Sequence, residues 1–102
     1  MIMRKPTYPG EVLRKEFIEP LGITQSQLAK EIHTIFRTIN EIVNKKRNIS
    51  TEMAIKLSGY FGTSEELWLN LQNQYDLYMV EEKRIDVLKV IRPSKRKAVQ
   101  YN

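Results

Sequence analysis

Five polar residues between positions 37 and 44 carry the side-chain chemistry that reads the edges of DNA bases. A guanidinium such as that of Arg37 pairs with guanine, a carboxamide such as that of Asn40 pairs with adenine, and Glu41 can accept a hydrogen bond from N4 of cytosine. Together with Thr38 and Asn44 they are our candidates for contacts to base edges and the groove. The plain alternative is that they form only the solvated face of a helix.

Other residues near this group suit the phosphate backbone. Lys45, Lys46 and Arg47 directly follow it, where the chain would pass the backbone, so we expect them to contact phosphates rather than bases. Gln25 and Gln27 lie at the opening of the preceding helix and are candidates for phosphate or base contacts, or else simply helix surface. Phe36 could be a wedge or touch a thymine methyl group, but an aromatic residue at this spacing is more typical of a core.

The chain shows no motif for catalysis or metal binding. It has no cysteine, no nucleophile elbow, no phosphate-binding glycine loop and no zinc signature, and His33 is its only histidine. Glu65, Glu66, Glu81 and Glu82 are better explained as helix caps or solvated charges than as acid-base pairs. We therefore predict no catalytic residue, no metal and no cofactor.

Composition is consistent with one DNA-binding domain. The chain has 102 residues and a net charge of +5, which favours polyanionic partners. Residues 30–47 sum to +3 and residues 83–102 to +6, whereas residues 48–82 sum to −5. The lack of cysteine favours a reducing cytoplasm, and the sequence shows neither a secretory signal nor a membrane span.

Helical periodicity dominates the chain up to about residue 82. A first helix follows Pro9-Gly10 and is predicted to stop at Glu19-Pro20, because proline disfavours helix in the residue before it. Thr24 is predicted to cap a second helix, and a third begins at Phe36 with Ile39 and Ile42 on its inner face.

Two further helices and a short extension complete the prediction. Ser50 or Thr51 caps the fourth helix, which Gly62 ends, and Thr63 and Glu66 form a capping box for the fifth. Beyond residue 83 the β-branched residues favour a short strand, although a continued helix would also place them on one face. We divide the chain into an N-terminal arm (1–7), a DNA-binding domain (8–83) and a basic extension (84–102).

The second and third helices, from Thr24 to Asn44, form a helix-turn-helix. Ala29 is small enough to let the two helices approach, and Ile32, Ile39 and Ile42 supply the apolar contact between them. In this motif the second helix lies in the major groove with its N-terminal residues toward the base edges.

Longer blocks of sequence resemble the HigA family of addiction-module antitoxins, whose helix-turn-helix is of the phage-repressor (XRE, Cro/C1) type. The resemblance rests on Tyr8 to Arg14, Glu19 to Thr24, Gln25 to Ile32, Ile39 to Asn44, Lys46 to Ser50 and Gly62 to Gln72. It implies an all-α, five-helix, phage-repressor-like domain that neutralises a HigB-type ribonuclease toxin and, as a homodimer, represses its own operon by binding double-stranded operator DNA. The chain departs from relatives at His33, Thr34 and Phe36, which affects the turn and the base preference.

The fifth helix has an unusually wide apolar face for so small a domain. We expect a homodimer to bury part of it, with Trp68, Leu69, Tyr75 and Tyr78 as the candidate interface residues. The alternatives are a phage-type repressor without a toxin partner, a protein-interaction module that uses this helix, and, least favoured, a nuclease.

Overall fold

The computed structural model describes residues 5–95, and this part of the chain is helical throughout its regular structure. Helix α1 consists of three consecutive segments, Pro9–Val12, a π-helical turn Leu13–Ile18, and Glu19–Leu21. It is followed by α2 (Gln25–Glu31), α3 (Phe36–Val43), α4 (Thr51–Phe61) and α5 (Glu65–Val80). A 3₁₀ turn, Glu81–Lys83, leads into a short α6, Arg84–Lys89. The predicted all-α, five-helix architecture is confirmed.

Helix α1 runs through Pro20 rather than stopping before it. Proline has no N–H to donate and its ring clashes with the carbonyl four residues back in a regular α-helix. The π-helical turn shifts hydrogen bonding to the fifth residue back, as in the bond from Glu19 N–H to the Arg14 carbonyl. The helix continues through Pro20 and ends at Leu21, because the next residue, Gly22, takes a left-handed conformation. The predicted stop at Glu19-Pro20 was wrong.

The core lies where the five helices α1 to α5 meet. Leu13, Ile39, Leu57 and Trp68 are completely buried in it. The Trp68 ring packs 5.1 Å from that of Phe17, and its Nε1–H donates to Thr63 Oγ1 at 2.8 Å.

This burial corrects one predicted interface residue. Trp68 exposes 0% of its surface, so it has nothing to offer a second chain and the expectation that it forms a dimer interface was wrong. The domain hides it because α1 supplies an aromatic partner that the pattern of α5 alone does not reveal. Leu69, Tyr75 and Tyr78 are partly buried and stay predictions.

The caps of the later helices match the prediction except at α5. Ser50 accepts the Met53 N–H at the start of α4, and Gly62 ends that helix with a φ of 73°. Ser64, not Thr63, caps α5 by accepting the Leu67 N–H at 3.1 Å. The predicted capping box of Thr63 and Glu66 was wrong, because the Thr63 hydroxyl is taken by the Trp68 indole.

Helix α1 approaches α3 closely at Gly10. A Cβ atom at this position would lie 1.9 Å from the Ile42 carbonyl oxygen, so only glycine fits the present spacing. The contact holds the start of α1 against the C-terminal end of α3, the helix that carries the predicted base-reading residues.

Residues 84–89 are helical, so the favoured strand was wrong. Ion pairs one helical turn apart join Glu81 to Arg84 at 3.6 Å and Asp86 to Lys89 at 3.8 Å. Strand preference depends on packing in a sheet, and the described chain contains no strand for this segment to pair with. Residues 96–102, which include part of the predicted basic extension, lie outside the described residues.

Candidate nucleic-acid interface

The turn between α2 and α3 has the geometry that the helix-turn-helix requires. His33 takes a left-handed conformation with a φ of 59°, which histidine tolerates better than a β-branched residue does. The Thr34 N–H donates to the Ala29 carbonyl at 2.8 Å, and Lys56 Nζ of α4 donates to the His33 carbonyl at 3.0 Å. The expectation that His33 is a turn residue is confirmed.

Helix α3 separates an apolar inner face from a polar outer one. Ile39 and Ile42 are buried, whereas the Arg37 side chain is 79% exposed and Asn44 is exposed. Thr38 and Asn40 are partly buried. The outer edge of α3 therefore remains open to a ligand in the single chain.

The N-terminal end of α3 presents two apolar side chains to solvent. Phe36 is 49% exposed, so the expectation that it belongs to the core was wrong, and its neighbour Ile35 is 64% exposed. The inner face of α3 is already filled by Ile39 and Ile42, and Phe36, at the first position of the helix, lies beyond the core. Apolar groups at this place are suited to contact thymine methyl groups.

A hydrogen bond connects the two helices of the motif on their polar side. Asn40 Nδ2 donates to Gln25 Oε1 at 3.1 Å. Gln27 has a different role, because its side-chain oxygen accepts the Thr24 N–H at 3.0 Å in a capping box at the start of α2. Gln25 is thus linked to a predicted base-reading residue, while Gln27 uses its oxygen within its own helix.

Glu41 bridges two arginine residues across the exposed side of the motif. Its Oε2 accepts from Arg37 Nε at 3.2 Å, and its Oε1 accepts from Arg47 Nε and Nη2 at 2.9 and 2.8 Å. The hydrogen bonds from Arg47, and then those from Arg37, lower the pKa of the Glu41 carboxyl. The carboxylate therefore fixes the spacing of two cationic groups that sequence analysis had treated separately.

Residues 44–49 form the basic loop, which leaves α3 and carries Lys45, Lys46 and Arg47. Lys45 has a φ of 64°, and its Nζ lies 5.8 Å from the centre of the Tyr8 ring. The Tyr8 hydroxyl donates to the Arg47 carbonyl at 2.9 Å. Tyr8 itself is buried against the Tyr75 ring at 4.8 Å, and this burial raises the pKa of its hydroxyl.

A buried amide fixes the other end of the basic loop. Gln72 of α5 is 5% exposed, and its Oε1 accepts the Ile49 N–H at 2.8 Å. Its Nε2 donates to Asn48 Oδ1 at 3.2 Å and to Asp76 Oδ1 at 2.9 Å. Tyr8 and Gln72 thus hold the loop at different residues, although neither is itself a candidate for DNA contact.

Thr38 shares a cleft with Arg47 of the basic loop. It lines an open polar cleft of about 250 Å³ between α3 and α4, together with residues of the basic loop and of α4. The other lining residues are Thr34, Ile42, Arg47, Asn48, Ser50, Glu52, Met53 and Lys56. Because Arg47 and Asn48 also line this cleft, Thr38 and the basic loop share one surface.

The sequence did not predict that Tyr8, Gln72 or Ile35 belong to this site. Gln72 lies four residues after Trp68 on the inner face of α5, and a carboxamide at an apolar position is the signal that could have revealed it. The contact between Tyr8 and the basic loop joins residues 39 positions apart, which periodicity cannot show.

The described part of the chain shows neither a metal-ligand cluster nor a membrane-spanning helix. Among residues 5–95 no three His, Cys, Asp or Glu side chains are grouped as a metal site would need. None of the helices described there combines the length and apolarity needed to cross a bilayer.

Known proteins share this motif and its surroundings. The helix-turn-helix family matches residues 15–68. The chain is 44% identical over 75 residues to virulence-associated protein I of Dichelobacter nodosus, covering 74% of this chain and 69% of that protein. It is 33% identical over 90 residues to antitoxin HigA-1 of Vibrio cholerae, covering 88% and 85%. Its fold is similar, with a TM-score of 0.79 and 38% identity, to the Pseudomonas aeruginosa antitoxin HigA solved with the higBA promoter, covering 86% of this chain and 97% of that one.

Proposed function

The chain belongs to the helix-turn-helix family as a HigA-type antitoxin and transcriptional regulator, and we propose that it represses its own operon and neutralises a HigB-type ribonuclease toxin. It is a regulator rather than an enzyme. We place its action in the cytoplasm, where the proposed DNA partner is found.

In the proposed complex α3 lies in the major groove of the operator. Arg37 and Asn40 contact base edges, Thr38, Glu41 and Asn44 face the groove, and the basic loop contacts phosphates. The observation that carries this proposal is the exposed polar edge of α3, where the Arg37 side chain is 79% exposed next to the basic loop. The fold that presents this edge is similar to that of an antitoxin solved with its promoter.

Gln25 and Gln27 have different parts in this proposal. Gln25 lies within hydrogen-bonding distance of Asn40, so it orients that amide and can itself reach a base or phosphate. Gln27 contributes the Nε2 donor that its capping role leaves unused, directed at the backbone near the start of α2.

We further propose that the protein binds a palindromic operator as a homodimer. Two-fold symmetry would place two copies of α3 about 34 Å apart, one turn of DNA, so that each reads one half-site. The symmetry of the operator would then reflect that of the protein.

The proposed toxin surface lies in the acidic part of the chain. Residues 48–82 carry a net charge of −5, which complements a basic partner, and Glu65 and Glu66 are exposed in the first turn of α5. Replacing both glutamates by lysine should weaken toxin capture while leaving operator binding intact. Unchanged capture when Glu65, Glu66, Glu81 and Glu82 are all replaced by lysine would exclude the acidic surface.

The test of the proposed function combines a mobility-shift assay on the upstream promoter with copurification of the neighbouring gene product. We expect a sequence-specific shift at moderate salt and a stable complex with a small basic ribonuclease. A shift without a copurifying toxin would instead indicate a phage-type repressor. Failure of both measurements would refute the proposal.

A further inference from the structure

Helix α3 begins differently from its neighbours. Thr24, Ser50 and Ser64 precede α2, α4 and α5, and each accepts a backbone N–H from the first turn of its helix. Ile35 holds the same position before α3, and its hydrocarbon side chain has no acceptor to offer. Polar residues are strongly preferred there, and an apolar residue in their place costs helix stability. The start of α3 is therefore not optimised for stability.

The next residue departs from the usual pattern as well. Phe36 is 49% exposed and Ile35 is 64% exposed, so two consecutive large apolar side chains face solvent. We call these two residues the apolar pair. Neither is needed for the inner face of α3, which Ile39 and Ile42 fill. Sequences break local rules of this kind mainly at functional sites, so a ligand explains the apolar pair better than the fold does.

The apolar pair occupies the leading end of α3. Side chains of an α-helix tilt toward its N-terminus, so the side chain of Phe36, at the first position, extends past the end of the helix. In a helix-turn-helix the N-terminal residues of the second helix are the ones that contact base edges. A duplex that receives α3 therefore meets the apolar pair at its base edges.

Asn40 lies one helical turn after Phe36 on the same side of α3. Its Nδ2 uses one N–H to donate to Gln25 Oε1 at 3.1 Å, and this bond fixes the orientation of the amide. The second N–H and Oδ1 match N7 and the N6 amino group of adenine. One side of α3 thus combines a group that suits adenine with an apolar group.

Charge around the apolar pair favours DNA over a protein as its ligand. Residues 32–40 include Arg37, whose side chain is 79% exposed, and no Asp or Glu. The flanking carboxylates of Glu31 and Glu41 accept hydrogen bonds from Tyr60 and from arginine. An exposed cation beside paired carboxylates suits a groove that is lined by phosphates.

The major groove offers one apolar group to such a pair. That group is the C5-methyl of thymine, and apolar side chains, phenylalanine included, contact it. Apolar wedges that separate stacked bases are instead a feature of minor-groove binding, whereas α3 is proposed to lie in the major groove. A methyl contact therefore fits the position of the apolar pair better than a wedge does.

We propose that Ile35 and Phe36 determine part of the operator specificity by packing against C5-methyl groups of thymine in each half-site. The inference rests on the proposed function and deepens it, because it names the base feature that the start of α3 recognises. Asn40 pairs with an adenine one turn further along α3, so each half-site carries A·T pairs where the N-terminal half of this helix lies. Cytosine offers no methyl group at the same place, so a G·C pair there is disfavoured.

Removing single methyl groups from the DNA tests this contact without changing a base pair. Deoxyuridine keeps the hydrogen-bonding groups of thymine and lacks only its C5-methyl group. Uracil interference on the upstream promoter first locates the thymines whose methyl groups the protein needs, and we expect them in both half-sites. One buried methyl group contributes about a factor of four to affinity, so deoxyuridine at one such thymine in each half-site should weaken wild-type binding roughly 15-fold.

A double-mutant cycle assigns the methyl contact to the apolar pair. The variant Ile35→Ala, Phe36→Ala should bind the thymine promoter more weakly than the wild type does, and deoxyuridine should weaken it no further. Ile55→Ala is the matched control, because Ile55 is 53% exposed on α4, and it should respond to deoxyuridine as the wild type does. Circular dichroism establishes that each variant keeps its helical content. A wild type indifferent to deoxyuridine, or a double variant as sensitive as the wild type, would overturn the proposal.

Cytosine methylation tests the same contact in the opposite direction. Each mapped thymine is exchanged for cytosine opposite guanine, and this probe is compared with one that carries 5-methylcytosine at the same position. The wild type should bind the methylated probe about four-fold more tightly per methyl group, and the variant Ile35→Ala, Phe36→Ala should bind both probes equally. Equal wild-type affinity for the two probes would contradict the proposal.

The remaining outcomes separate this inference from the function on which it rests. Promoter binding that ignores every methyl group leaves the proposed regulator intact and refutes the thymine contact. No binding to promoter DNA at all refutes both. If the variant Ile35→Ala, Phe36→Ala instead fails to copurify the toxin and keeps the wild-type response to deoxyuridine, the apolar pair contacts a protein and the thymine contact is refuted.

Discussion

Gln72 should be the most sensitive polar residue in the domain. Replacing it by methionine keeps a similar length and removes both the acceptor for the Ile49 N–H and the donor to Asn48 and Asp76. Ile49 is only 4% exposed, so water cannot take the place of the lost acceptor. The substitution therefore leaves a buried backbone N–H without a partner.

The expected cost follows from those three hydrogen bonds. A buried N–H without an acceptor costs about 1–3 kcal/mol, and the two partly exposed bonds contribute about 0.5–1 kcal/mol each. The free energy of unfolding should fall by about 2–5 kcal/mol. In a domain of this size that lowers Tm by roughly 10–25 °C.

Thermal and urea unfolding of the full chain measure this difference, with Gln74→Met as the matched control. Gln74 is the same residue type on the same helix but is exposed, so its replacement should change the free energy of unfolding by less than about 0.5 kcal/mol. Hydrogen exchange at the Ile49 amide should be slow in the wild type and fast in Gln72→Met. Equal stability of the two variants, or continued protection of that amide, would refute the role assigned to Gln72.

Four further substitutions test other parts of the structure. Glu41→Gln releases the two bridged guanidinium groups, so the variant should bind random-sequence DNA more tightly. Fluorescence anisotropy at several salt concentrations should show that its affinity falls more steeply with salt, by about one phosphate contact. An unchanged slope of affinity against salt would contradict this. The pKa of the Glu41 carboxyl is lowered in the folded chain, so its contribution to wild-type stability is fully present above the normal carboxyl pKa. That contribution disappears as the pH falls through the lowered pKa. The Tm values of the wild type and of Glu41→Gln should therefore converge in acid. Gly10→Ala forces a Cβ against the Ile42 carbonyl and should lower the free energy of unfolding by about 1–3 kcal/mol. Gly59 has open space around it, so Gly59→Ala should raise the free energy of unfolding by about 0.5–1 kcal/mol. Urea titrations measure both differences. His33→Gly keeps the backbone hydrogen bonds of the turn and removes the strain of a φ of 59°. It should therefore raise the free energy of unfolding by up to about 1 kcal/mol. A marked loss of stability would show that the imidazole has a contact of its own.

Local features of the sequence were sufficient to predict most of the helices. Periodic apolar residues placed all five, and Thr24, Ser50 and Gly62 marked boundaries that the structure confirms. The error at the start of α5 arose because a neighbouring residue competes for the same hydroxyl group. Thr63 was expected to cap α5, but the Trp68 indole takes its hydroxyl.

The candidate site was predictable in its residue types but not in its connections. The exposed edge of α3 follows from helical spacing alone. The bridge from Glu41 to Arg47 and the bond from Tyr8 to the basic loop depend on how the chain folds back on itself, and no periodic pattern encodes that path. Phe36 was misplaced for a similar reason, because only the packed structure shows that Ile39 and Ile42 already fill the inner face of α3.

The central claim is that the outer edge of α3 reads the major groove, and methylation interference on the protein's own promoter tests it most directly. Methylation at guanine N7 modifies only the major groove. We predict that guanine methylation blocks binding of the wild type at two groups of guanines about one helical turn apart. Arg37→Ala should lose the interference at one guanine in each half-site. The control variant Lys15→Ala should keep the full pattern. Interference confined to adenine N3 in the minor groove, or an Arg37→Ala pattern identical to that of the wild type, would contradict the account.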